Sequence, residues 1–133
     1  MPFDFGFGLD SVTPRQHRGR MAQLSGLAAE DVVLRSYEAQ GYHLVARRKR
    51  GPVAEIDLLL RQGAQLIAVE VKSSRTHDAA MALARPGQLH RVAMACEGCM
   101  YDMAADGISD MRLDLALVDG QGRVEVMQSV LYY

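Results

Sequence analysis

The sequence has little cysteine, no long apolar run and almost no net charge. Two cysteines, Cys96 and Cys99, are too few for a disulfide framework. No apolar stretch approaches the roughly 18 residues needed to cross a bilayer. Residues 1–8 lack the basic and apolar regions of a signal peptide. We therefore expect a cytoplasmic protein with reduced cysteines and no membrane partner.

The length and composition indicate one folded domain. The chain has 133 residues, of which 49% are hydrophobic and 23% charged, as in ordinary globular proteins. Residues 1–25 show no sustained hydrophobic period and are predicted to form a flexible N-terminal arm. Residues 26–133 are predicted to form the domain. The Cys96-x-x-Cys99 motif lies within a predicted helix, and we interpret it as part of the core.

The net charge of −1 hides an uneven distribution along the chain. Residues 1–75 contain eleven basic and eight acidic side chains, whereas residues 76–133 contain four and eight. One basic cluster is consecutive: Arg47, Arg48, Lys49 and Arg50. Such a cluster could bind the phosphates of a nucleic acid, and a solvated charged loop is the alternative.

Hydrophobic periodicity predicts the order α-β-β-β-α-β-β. The result is an α/β domain with one mixed central sheet flanked by helices. Residues 73–79 are predicted to be a loop. The predicted helices are Gly26–Gln40 and Pro86–Met103, and the predicted strands are Tyr42–Arg47, Glu55–Arg61, Leu66–Lys72, Met111–Val118 and Arg123–Val130.

The second and third predicted strands form a hairpin with an acidic face. Side chains alternate along a strand, so Ile56, Leu58 and Leu60 share one face while Glu55 and Asp57 share the other. A two-residue turn at residues 63–64 places Asp57 opposite Glu70 and Glu55 opposite Lys72. A register shifted by two residues would instead pair Glu55 with Glu70.

Two directly opposed carboxylates repel each other unless a cation lies between them. Mg²⁺ prefers carboxylate oxygens and can activate water for attack on a phosphodiester. Lys72, one of only two lysines, could then act on that water. The alternative is a solvent-exposed acidic face on which Glu55 and Lys72 form an ion pair.

Glu30 lies at the centre of the apolar stripe of the first helix. A carboxylate in that position faces the sheet, where an unpaired charge is costly. Binding to the same metal would explain its position. A side chain that bends out to solvent or meets an arginine is the alternative.

These residues resemble a known nuclease signature. Asp57, followed after twelve residues by Glu70-Val71-Lys72, is similar to the PD-(D/E)xK signature of restriction-endonuclease-like nucleases, here without the proline. Together with Gly26-x-x-x-Glu30, Gly41-Tyr42 and Glu55-Ile56-Asp57-Leu58, the pattern resembles the YraN-like family of small bacterial proteins. The resemblance covers about residues 20–118, including Arg112-Leu113-Asp114.

The resemblance implies a restriction-endonuclease-like fold and a specific set of site residues. Asp57, Glu70, Glu30 and the Val71 carbonyl would bind Mg²⁺ or Mn²⁺, and Lys72 would be catalytic together with Asp57 and Glu70. Glu55 would support these ligands from just outside the site.

We therefore expect a metal-dependent nuclease that hydrolyses DNA, with branched or structured DNA among the candidate substrates. The four consecutive basic residues would hold the DNA backbone, and Gln88 and Arg91 would orient its phosphate. A non-catalytic nucleic-acid-binding or assembly module is the main alternative. A protein-interaction domain that uses the aromatic N-terminal arm is the third. The sequence leaves open whether the protein is a homodimer.

Overall fold

A computed structural model describes residues 14–130, with side chains described from Gly26 onward. The helices are α1 (Pro14–Glu38), α2 (His77–Met81) and α3 (Pro86–Asp102), and a 3₁₀ turn follows at Ala104–Asp106. The strands are β1 (His43–Arg50), β2 (Glu55–Gln62), β3 (Gln65–Ser73), β4 (Asp110–Val118) and β5 (Val124–Met127).

The five strands form one sheet in the spatial order β1-β2-β3-β4-β5. Strands β3 and β4 are parallel, and every other neighbouring pair is antiparallel. This arrangement confirms the mixed α/β fold class and the predicted order of elements. Within residues 14–130, no helix is long and apolar enough to cross a membrane.

Several element boundaries differ from the prediction, and α2 was not predicted. Helix α1 begins at Pro14 rather than Gly26, and β5 ends at Met127 rather than Val130. The prediction placed the helix start where an apolar stripe begins, but helix-compatible residues such as those of 14–25 need no stripe to be helical. Helix α2 begins within the predicted loop and extends past it to Met81. Thr76 Oγ1 caps its first turn by accepting a hydrogen bond from the Ala79 N–H at 3.1 Å. Residues 1–13 of the predicted arm lie outside the described residues.

The central strands are buried on both faces of the sheet. One face packs against α1 through Ala29, Val33 and Tyr37. The other face packs against α3 through Val92 and Cys96. The alternative of a solvent-exposed acidic face does not hold at Glu70, which is buried, whereas Glu55 is exposed and Asp57 and Lys72 are half-buried.

A buried polar network fastens α1 to β4. Asp114 is fully buried and accepts hydrogen bonds from the Tyr37 hydroxyl at 2.7 Å and from Arg112 Nε at 2.9 Å. Arg112 Nη2 also donates to the Tyr42 hydroxyl at 2.9 Å. Burial, together with the hydrogen bond to Asp114, raises the pKa of Tyr37 far above its usual range. The network positions the helix that carries Glu30 relative to the sheet.

Both cysteines lie in α3 and are buried, which confirms that the motif belongs to the core. Burial raises the pKa of the Cys96 thiol to about 12. A thiol with this pKa stays protonated at neutral pH and is a poor nucleophile or metal ligand.

Candidate metal centre

The β2–β3 hairpin has the predicted register. Leu58 pairs with Val69, and Gln62 pairs with Gln65 across the turn. Gly63 adopts a φ of +59° in that turn, a conformation that favours glycine. The next residues along the two strands after the Leu58–Val69 pair are Asp57 and Glu70. The alternative register, shifted by two residues, is therefore wrong.

The backbone pairing between β2 and β3 ends where this acidic pair begins. Asp57 Oδ2 accepts a hydrogen bond from the Val71 N–H at 2.9 Å, so a side chain joins the two strands there. Ile56 packs with the α3-side cluster, whereas Leu58 packs with the α1-side cluster. The prediction that Ile56 shares a face with Leu58 and Leu60 is wrong, because the alternation breaks around Asp57.

Strand β1, which pairs with β2, is irregular beside Asp57. The pairs Arg47–Leu58 and Lys49–Ile56 place Arg48 beside Asp57, and Arg48 has a φ of +49°. A positive φ is uncommon for a residue with a side chain. This local distortion changes the direction of the Arg48 side chain relative to a regular strand.

Glu70 is buried beside Asp57. Its relative exposure is 2%, and its Oε2 atom has no hydrogen-bond partner among the described residues. Burial raises the pKa of Glu70, and the neighbouring Asp57 carboxyl raises it further. An unpaired carboxylate in such a place is unstable unless it takes a proton or a cation. Two carboxylates with a free oxygen fit a hard divalent cation.

Lys72 lies next to this pair. Its ammonium lowers the pKa of Glu70, opposing the effect of burial. Lys72 Nζ donates a hydrogen bond to Gln88 Oε1 at 3.2 Å, so α3 helps to position the lysine. The alternative Glu55–Lys72 ion pair is not formed, because Glu55 instead lies 3.5 Å from Arg50 Nε. Arg91 is exposed one turn after Gln88, and its contact with phosphate stays a prediction.

Glu30 is buried on α1, as its place in the apolar stripe indicates, and it meets arginines. Arg48 donates to both of its oxygens, at 3.2 and 3.1 Å, and Arg47 Nη2 lies 3.5 Å away. Arg47 also donates to Asp31 at 2.7 Å. The charge of Glu30 contributes to the raised pKa of Glu70, so the two carboxylates lie within electrostatic range.

Ligand roles for Glu30 and for the Val71 carbonyl stay predictions. In residues 26–130, no three His, Cys, Asp or Glu side chains are grouped closely enough to hold a metal ion. Asp57 and Glu70 are adjacent, while the Glu30 carboxylate is engaged by the two arginines.

The basic cluster divides into two pairs. All four residues are exposed, but Arg47 and Arg48 contact acidic residues of α1, whereas Arg50 lies 3.5 Å from Glu55 of β2. The sequence did not predict that Arg47 and Arg48 would both contact α1, because consecutive side chains of a regular strand point to opposite faces. The available signal was the apolar setting of Glu30, which requires a cationic partner.

Comparison with known proteins identifies the family. The model of an uncharacterised protein family, UPF0102, matches residues 29–118. A UPF0102 protein of Roseobacter denitrificans is 41% identical over 123 residues, covering 92% of this chain and 95% of the relative. A UPF0102 protein of Ruegeria pomeroyi is 43% identical over 112 residues, covering 84% and 91%. One of Dinoroseobacter shibae is 40% identical over 119 residues, covering 87% of each chain. The family agrees with the YraN-like resemblance in the sequence, and the chain belongs to the uncharacterised protein family UPF0102.

Proposed function

We propose that this protein is a nuclease that requires Mg²⁺ or Mn²⁺ and hydrolyses DNA phosphodiesters. The observation that carries the proposal is the buried Glu70 carboxyl beside Asp57, with an oxygen that has no partner among the described residues. A buried carboxyl oxygen without a hydrogen-bond partner is costly to a fold, and a bound cation would remove that cost. Lys72 lies next to this pair, and the exposed cationic side chains of Lys49 and Arg50 could hold a phosphate backbone. Hydrolysis of a phosphodiester is the reaction that these residues fit best.

Asp57 and Glu70 would hold the cation, and Glu30 and the Val71 carbonyl are the further candidate ligands. A bound divalent cation would neutralise charge on the scissile phosphate and favour the hydroxide form of a nearby water. The Val71 N–H fixes the Asp57 carboxylate, which limits its rotation and preorganises one side of the site.

Lys72 would contact the reacting groups directly. As an ammonium it can donate a hydrogen bond to the attacking water or to a non-bridging phosphate oxygen, where negative charge develops. Gln88 accepts one of its protons and leaves two for the substrate. Lys49 and Arg50 are exposed and would bind the DNA backbone through charge, independently of its sequence.

A cleavage assay tests the proposal. Single-stranded, duplex and four-way-junction DNA are incubated with Mg²⁺ or Mn²⁺, with EDTA as the metal control. Lys72→Ala is compared with Lys49→Ala, which removes the only other lysine. We expect cleavage by the wild type, weaker but still metal-dependent cleavage by Lys49→Ala, and none by Lys72→Ala or in EDTA.

Two outcomes would replace the proposal. Folded protein that binds DNA but cleaves none of the substrates would be a non-catalytic nucleic-acid-binding module. Protein that fails to bind DNA at about 150 mM salt would favour a protein-interaction domain. Light scattering on the same preparation determines whether the protein is a homodimer, which the sequence leaves open.

A further inference from the structure

Two consecutive arginines of β1 reach the same carboxylate of α1. Arg47 and Arg48 both contact Glu30, although neighbouring side chains of a regular strand point to opposite faces. The φ of +49° at Arg48 breaks this alternation. A side chain in that conformation is strained, so the surrounding contacts must favour it. The positive φ of Arg48 allows its side chain to make the bidentate contact with Glu30.

Glu30 has a reason to need these cations. Its side chain is only 8% exposed, and its charge lies within range of Glu70. A buried carboxylate near another carboxylate is unfavourable unless cations compensate it. Glu30 is buried on α1, and this helix packs against the sheet whose strands carry Asp57 and Glu70. Glu30 can therefore have two competing partners, the arginines and a divalent cation.

The arginines also have two competing partners. Their side chains are 33% and 45% exposed, so solvent-borne ligands can reach them. The exposed Lys49 and Arg50 directly follow in the same strand. A DNA backbone bound at these two residues would bring phosphates next to the pair. Guanidinium groups bind phosphate in the same bidentate geometry as carboxylate.

We propose that Arg47 and Arg48 act as a latch on Glu30 that nucleic-acid phosphates open. Phosphates bind the two guanidinium groups, and Glu30 is released to bind the divalent cation. Binding of nucleic acid and binding of the cation are then positively coupled, and by linkage each strengthens the other. This inference rests on the proposed function, since it assumes a cation at Asp57 and Glu70.

The latch predicts a change in metal affinity without any DNA present. Mn²⁺ binding is measured by electron paramagnetic resonance for the wild type and for Arg47→Gln/Arg48→Gln. The matched control is Lys49→Gln/Arg50→Gln, which removes the same charge from the same strand. We expect the first variant to bind Mn²⁺ at least about five-fold more tightly than the control, in the range of ordinary coupling between sites. Adding Glu30→Gln to the first variant should remove the gain.

A second variant, Arg48→Gly, removes the guanidinium and should still fold, because glycine adopts a positive φ readily. It should keep the circular dichroism spectrum and thermal transition of the wild type and still bind Mn²⁺ more tightly. A non-hydrolysable phosphorothioate duplex should raise the Mn²⁺ affinity of the wild type more than that of this variant.

The possible failures are distinguishable. Equal Mn²⁺ affinity in the latch and control variants, together with metal-dependent cleavage, would refute the latch alone. Absence of Mn²⁺ binding in every variant, with and without DNA, would refute the proposed function and the latch together.

Discussion

Replacing Glu70 by glutamine removes a buried ionisable group while keeping the shape of the side chain. Glu70 is 2% exposed, and burial with the adjacent Asp57 carboxyl raises its pKa from 4.5 to about 9. The folded protein therefore holds this proton more tightly than the unfolded chain does. The stabilisation is complete below the unfolded pKa, and it is lost as the pH rises toward the folded pKa.

The size of the effect follows from the two pKa values. Each unit of difference corresponds to about 1.4 kcal/mol, so the loss between pH 5 and pH 8 has an upper limit of about 4 kcal/mol. Adjustment of Lys72 and water toward the charge reduces it, and we expect the free energy of unfolding to fall by about 2 kcal/mol. Glu70→Gln lacks this titration and should be the more stable protein at pH 8 in EDTA.

Urea denaturation at pH 5, 6.5 and 8 measures these free energies. Glu55→Gln is the matched control, because it removes an exposed carboxylate from the neighbouring strand and should follow the wild type. Adding Mg²⁺ at pH 8 should stabilise the wild type and have little effect on Glu70→Gln. Parallel pH profiles for the wild type and Glu70→Gln would refute the reasoning, because they would mean that Glu70 is ionised at no cost.

Further substitutions test the core and the exposed cations. Asp114→Asn should lower the free energy of unfolding by about 2 to 3 kcal/mol, because it leaves a buried guanidinium without its anion, and Tyr37→Phe should cost about 1 kcal/mol. Thermal denaturation measures both, and losses below about 0.5 kcal/mol would contradict the role of the network. Cys96 should react with iodoacetamide at pH 8 only after the protein is unfolded, and mass spectrometry measures the labelling. Rapid labelling of the native protein would contradict the raised pKa of this thiol. Lys49→Gln/Arg50→Gln should make the slope of log DNA affinity against log salt concentration shallower, by the amount that corresponds to about one to two phosphate contacts. An unchanged slope would show that these residues do not contact the DNA.

The β2–β3 hairpin shows how well local rules predict structure. Alternating apolar residues and a glycine turn identified both strands and placed Asp57 next to Glu70. These features depend on the pleat of a strand and on turn geometry, which nearby residues decide. The same rules failed at Ile56, because an irregular backbone changes the face to which a side chain points.

The extent of α1 shows the limit of a hydrophobic pattern. The apolar stripe from Leu27 to Tyr37 identified the helix and the buried position of Glu30. The helix continues back to Pro14, where no stripe marks it. An apolar stripe indicates only which helical residues pack against the core, and the helix can extend beyond those residues.

The sequence by itself determined the order of elements along the chain, the acidic pair and the buried place of Glu30, and it reduced the hairpin register to two alternatives. These follow from periods of 2 and 3.6 residues and from turn residues, all of which act over short distances along the chain. Only the tertiary structure decided that Arg48 contacts Glu30 from 18 residues away, and that Tyr37 and Asp114 meet across 77 residues. Such contacts depend on how the elements pack and on one distorted residue in β1, and no local pattern encodes either.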